Sequence, residues 1–150
     1  MRKVTAVVLT IAMSLALAAC GGKAEDTVTT EESGKTEEAE NYTIGVAVDT
    51  LDTQFWIANY QAIKDRAEEL GNITLVEAIA SADANVQNQQ IEDFIAQDVD
   101  AVICMASDGA AIAAAVDECN EAGIPIIMNN RPVVEGTADP DAQVLSDNKQ

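Results

Sequence analysis

From Tyr42 onward, short runs rich in β-branched residues alternate with longer stretches whose apolar residues recur at helical spacing. Repeated βα units around a parallel sheet satisfy such an alternation, so the expected fold class is α/β with a doubly wound parallel sheet. The first strand is expected over Thr43 to Val48. The first helix follows over about Phe55 to Leu70, with Trp56, Tyr60, Ile63, Ala67 and Leu70 on one face and Gly71 as its stop. Ile73 to Ala78 reads as the second strand. A helix from about Ala84 to Gln97, capped by Asp83, turns Val86, Ile91, Phe94 and Ile95 toward the sheet. Asp100 to Met105 is continuously apolar at its centre, the pattern of a strand covered on both faces. Asp108 to Ala122 reads as the third helix, Ile124 to Met128 as the fourth strand and Gln143 to Leu145 as a short fifth. Such a sheet needs a further helix over its last connection, and none follows Leu145, so the chain is expected to be the front of a longer protein.

In an open parallel sheet, ligands bind beyond the carboxyl ends of the strands. The segments delivered there are Asp49 to Gln54, Ile79 to Asp83, Ala106 to Asp108 and Asn129 to Pro132. Asp49, Thr50, Asp52 and Thr53 precede Phe55 and Trp56, aromatics that can lie against the C–H face of a sugar ring while carboxylate, amide and hydroxyl groups take its hydroxyls. Trp56 can equally be the first core residue of its helix, which makes Phe55 the better wall. Asn130 and Arg131 bring an amide and a guanidinium fork to the same rim, where Arg131 either meets ligand hydroxyls or pairs with an acid such as Glu135. Ser107, Asp108 and Gly109 open the third helix, and an N-cap with a tolerant glycine is favoured there over an anion site. The candidate ligand-binding set is therefore Asp49, Thr53, Phe55, Trp56, Asn130 and Arg131.

The same residues argue against chemistry. The chain has no histidine, no GxSxG, no P-loop and no GxGxxG after a strand. Asp49 with Asp52 is the one acidic pair at a mouth and reads better as hydroxyl acceptors than as acid and base. No catalytic residue, metal site or cofactor is expected. Net charge is −18, with only 8 Lys and Arg, which argues against a nucleic-acid partner bound through its phosphates. Of the 3 cysteines, Cys104 and Cys119 fall at positions expected to lie too far apart for a disulfide and read as buried thiols.

The amino terminus has a different character. Arg2 and Lys3 precede the uncharged apolar run Val4 to Ala19, the layout of a secretory leader and short of the ~20 residues a membrane span needs. Leu17, Ala18, Ala19 and Cys20 resemble the lipobox of bacterial lipoproteins, which implies lipidation of Cys20 and removal of residues 1–19. Residues 20–41 then form an acidic tether: Glu25, Asp26, Glu31, Glu32, Glu37, Glu38 and Glu40 stand among Thr and Ser with too little apolar surface to pack.

Residues 42–150 resemble the periplasmic binding proteins of the ribose and galactose type. The resemblance is carried by Thr43, Ile44, Gly45, Val46 through Phe55 and Trp56; by Gln87 with Gln90, Ile91, Glu92, Asp93, Phe94 and Ile95 leading to Val99, Asp100 and Ala101; and by Ala122, Gly123, Ile124, Pro125 and Ile126. It implies a type I lobe with its second lobe missing, Phe55 and Trp56 as sugar walls, and Asn130 with Arg131 as the hydroxyl grip. It also implies that Ser146, Asp147 and Asn148 form the hinge. Met105 stands where ribose binders have an amide and Asn130 where they have Asp, so the ligand need not be ribose. The expected protein is a monomeric, non-enzymatic sugar-binding lipoprotein of an ABC importer, on the extracellular face of the membrane or in the periplasm. Its partners are a small sugar, the transporter permease and, through the lipid alone, the membrane. The second expectation is a binding protein for a sensor kinase, a chemoreceptor or a non-sugar ligand, and the third a surface hydrolase.

Overall fold

A computed structural model describes residues 40–146; Cys20, the leader, the tether to residue 39, and the hinge residues Asp147 and Asn148 lie outside them. The elements are β1 (Tyr42–Val48), α1 (Gln54–Leu70), β2 (Ile73–Ile79), α2 (Ala84–Ala96), β3 (Ala101–Met105), α3 (Ala113–Ala122), β4 (Ile126–Asn129) and β5 (Ala142–Val144). The strands form one parallel sheet in the order β2-β1-β3-β4-β5. The chain thus steps from β1 out to β2 and then back across β1 to β3, and right-handed crossovers send helices on those two routes to opposite faces.

Side-chain alternation along the strands divides the core accordingly. Val46, Val48 and Met105 pack with Trp56, Tyr60 and Ile63 of α1. Ala47, Val102, Cys104, Ile126 and Met128 pack with Ile91 and Phe94 of α2 and with Val116 and Cys119 of α3. Gly45 lies where α2 approaches most closely, and a methyl group there would stand 2.5 Å from Cδ2 of Phe94. Cys104 and Cys119 are free and buried, in keeping with the sequence reading.

Where the sequence reading and the structure differ, backbone partners explain the shift. Regular α3 begins at Ala113 rather than Asp108. Asp108 still caps, since its Oδ1 accepts from the N–H of Ala110 and of Ala111, each at 2.8 Å. The capped turn is tight, with Ala113 N–H bonded to the carbonyl only three residues back, at Ala110. Gly109 is more than tolerated, because a methyl group there would meet the Pro132 carbonyl oxygen at 2.5 Å. At the other end of α3, Gly123 is left-handed and Ile124 N–H returns to Cys119 O, so Ile124 belongs to the helix stop and β4 starts at Ile126. Asp141 then sets the register of β5 by accepting from Ile126 N–H through Oδ2 at 2.9 Å.

The chain enters the sheet at the amino ends of the strands. Tyr42 N–H bonds to Asn72 O, Asn72 Nδ2 donates to Glu40 O at 2.7 Å, and Asp100 Oδ2 accepts from Thr43 N–H at 2.6 Å. Among the described residues, no helix is long and apolar enough to cross a membrane.

Candidate functional site

Three of the strand ends converge on one rim, at the switch point between β1 and β3 where the order of the sheet reverses. Asp49 follows β1 directly and is only 5% exposed. Its Oδ2 lies 3.5 Å from Nη1 of Arg131, which comes from the loop after β4. The same Nη1 donates to the carbonyls of Ala106 and Ser107, in the segment after β3. Arg131 therefore ties all three strand ends together, and its partner is Asp49 rather than Glu135.

The Arg131 guanidinium lies 6.0 Å from the centroid of the Trp56 ring, at the outer range of a cation–π contact. Trp56 is half-buried against the α1-side core, so it serves as core and rim at once. Phe55 stands edge-on to it, centroids 5.2 Å apart and planes at 74°, and is 54% exposed. Thr53 holds the pair in place by capping α1: its Oγ accepts from Trp56 N–H at 3.4 Å, leaving the hydroxyl proton to donate elsewhere.

Asn130 adopts a left-handed backbone with φ of 69°, a conformation that Asn tolerates better than most residues. Its N–H bonds to Val144 O, and its Oδ1 accepts from Ser146 Oγ at 3.4 Å. The one hinge candidate inside the described residues thus touches the ligand-side loop. A cleft of about 250 Å3 lies here, lined by Phe55, Asn59, Asn129, Asn130, Val144 and Ser146. A larger groove of about 430 Å3 runs under α1 and is walled mainly by hydrocarbon from Ile44, Ile63, Leu75 and Ile103. Hydroxyl-bearing ligands find fewer partners there.

The rim's chemistry is specific. The Asp49 carboxylate is nearly buried, and its Oδ2 faces the Arg131 guanidinium. Because the carboxylate and guanidinium largely offset each other, the rim favours a neutral ligand rich in hydroxyls over an ion. Asp52 is exposed and is not drawn into this group. Met105 is wholly buried in the core, so it contributes no polar contact at the position where an amide was expected of ribose binders. Among the described residues no cluster of His, Cys, Asp and Glu could hold a metal ion.

The second loop contributes through its backbone. Ser81 and Ala82 are both left-handed, with φ of 54° and 63°, and Ala80 and Ala82 donate to the carbonyls of Val48 and Asp49. Gln87 has a similar supporting place, and the sequence reading did not assign it to the site: it turned Val86 inward, whereas Val86 is 37% exposed and Gln87 is wholly buried. The available signal was phase, since Gln87 shares the helical face of Ile91 and Phe94.

Comparison with known proteins fits this geometry. The ribose import binding protein of Bacillus subtilis is 31% identical over 148 residues, covering 99% of this chain and 46% of the relative. The D-apiose import binding protein of Actinobacillus succinogenes is 30% identical, covering 75% and 36%. A Bacillus halodurans solute-binding protein with bound myo-inositol superposes with a TM-score of 0.60 at 31% identity, covering 69% and 36%. The myo-inositol binding protein of Caulobacter gives 0.65 at 26%, covering 71% and 36%. This chain thus spans less than half the length of these relatives. The profile of the periplasmic binding protein domain matches residues 44–150, and the chain belongs to that family.

Proposed function

We propose that the full-length protein captures a monosaccharide or similar polyol outside the cell and delivers it to an ABC importer. It is a monomeric binding protein without catalytic chemistry, held to the membrane only through lipid on Cys20. The observation that carries the ligand class is the rim itself, where the Asp49–Arg131 pair stands beside the Trp56 ring and the exposed Phe55 ring. Ring hydroxyls meet the polar pair, and the C–H face of the ring meets the aromatics. Relatives named for ribose and D-apiose import, and one holding myo-inositol, support a neutral ligand of this size.

In this reading Phe55 and Trp56 wall the ring, Thr53 and Asn130 add hydroxyl partners, and Arg131 grips oxygen atoms with its free guanidinium donors. A second lobe, supplied by the remaining half of a polypeptide as long as the relatives, closes over the rim about Ser146, Asp147 and Asn148, and the permease engages the closed form.

Calorimetry on the full-length protein with D-ribose, D-apiose, D-xylose and myo-inositol tests the reading. Binding of at least one is expected, and silence across the panel would overturn it. Arg131→Ala is expected to weaken that binding by about 1.5–3 kcal/mol, the value of charge-assisted hydrogen bonds. Unchanged affinity removes Arg131 from the site.

A further inference from the structure

We propose that Gln87 is a positioning residue for this rim: its buried amide clamps the segment after β3 and thereby sets the carbonyls that hold Arg131. The inference deepens the sugar-binding reading and rests on it for its effect on affinity. Its structural part stands separately.

Gln87 sits in the first turns of α2 and is 0% exposed. A Leu or Met would continue the apolar face formed by Ile91 and Phe94, and burying an amide is costly unless its hydrogen bonds are satisfied. At Gln87 they are. Nε2 donates to Met105 O at 2.9 Å, with Ala47 O at 3.4 Å, and Oε1 accepts from Ser107 N–H at 2.7 Å. One side chain therefore grips the backbone on both sides of Ala106.

The consequence follows from peptide geometry. The Ala106 carbonyl and the Ser107 N–H belong to one planar trans peptide and point in opposite directions. Gln87 binds the N–H edge of that peptide, and Arg131 Nη1 binds its carbonyl edge. Rotating the plane would break both contacts together. Gln87 thus fixes where Arg131 stands between Asp49 and the Trp56 ring without meeting the ligand itself. Once Gln87 is removed, the peptide is free to turn and the guanidinium loses the Ala106 carbonyl as a defined acceptor.

The test uses full-length protein with 15N-labelled arginine, assigning the Arg131 signals by their loss in Arg131→Ala. In the ligand-free wild type, the Arg131 Nη groups are expected to give separate signals, because carbonyl contacts hinder rotation about Cζ–Nη. In Gln87→Met they collapse to an averaged signal while backbone amides elsewhere keep their positions. If Gln87→Met does not fold, Gln87→Asn, too short to grip both sides of Ala106, is expected to give the same collapse. Calorimetry with D-ribose or myo-inositol adds a second readout. Gln87→Met weakens binding about tenfold, and by less than about twofold once Arg131 is already Ala. Unaltered Arg131 signals in a folded Gln87 variant, or a tenfold loss that persists without Arg131, overturns the proposal. If the wild type binds no sugar of the panel, the functional reading falls, and the arginine signals still decide the role of Gln87.

Discussion

Asp49 and Arg131 face each other where water reaches the carboxylate poorly, so each depends on the other. Removing the guanidinium leaves a nearly buried negative charge uncompensated, and Arg131→Ala is expected to lower stability as well as affinity. Backbone strain beside this pair gives a sharper single-residue prediction. Ala82 is left-handed while its N–H holds Asp49 O, and a Cβ in that conformation costs about 1–2 kcal/mol. Ala82→Gly is expected to be neutral or stabilising by up to ~1 kcal/mol in urea unfolding, whereas Ala82→Val destabilises by about 1–2 kcal/mol. A stabilising valine would contradict the strain. Legibility at this scale followed chemistry: the sequence named Asp49, Trp56 and Arg131 because charge and aromaticity at strand ends stand out. Gln87 escaped because its role is to satisfy backbone groups, and which carbonyls a buried amide meets depends on how a helix crosses strands distant in sequence.

Capping decides the behaviour of the turn that leads into α3. The backbone N–H groups of Ala111 and then Ala110 hold the Asp108 carboxyl below the usual carboxylate range, slightly opposed by burial and aided by Arg131. A carboxylate whose folded pKa is lowered adds stability that is present above its unfolded pKa and is lost as pH falls through the lowered folded value. Asp108→Asn, which keeps an acceptor oxygen in place, is therefore expected to flatten the acid limb of melting temperature against pH in that window. An identical slope in both proteins would refute the assignment. The elements themselves were readable from periodicity, because parallel strands buried on both faces and helices with one apolar stripe leave different patterns. Their ends were less so. The start of α3 moved because Val134 N–H takes the Gly109 carbonyl while Ala113 N–H turns to Ala110, and the start of β4 moved because Ile124 closes the Gly123 stop.

On the scale of the whole lobe, the two cysteines report on integrity. Burial raises the Cys104 thiol far above its ordinary range and pushes that of Cys119 up to about 11. Both are expected to stay unreactive toward a disulfide reagent at pH 8 and to react together as the lobe unfolds, measured in protein carrying Cys20→Ala. Early reaction of one alone would reveal a local opening of the sheet. The cleft beside Phe55 holds about 250 Å3, below the roughly 300–1,000 Å3 of sites that bury most of a ligand, so this rim by itself encloses less than a full site. The chain enters the lobe beside Asn72, at the amino ends of the strands. Whatever is joined ahead of Glu40 therefore pulls on the lobe from its keel, the pole opposite the mouth. Force arriving along that line leaves the rim around Arg131 unobstructed.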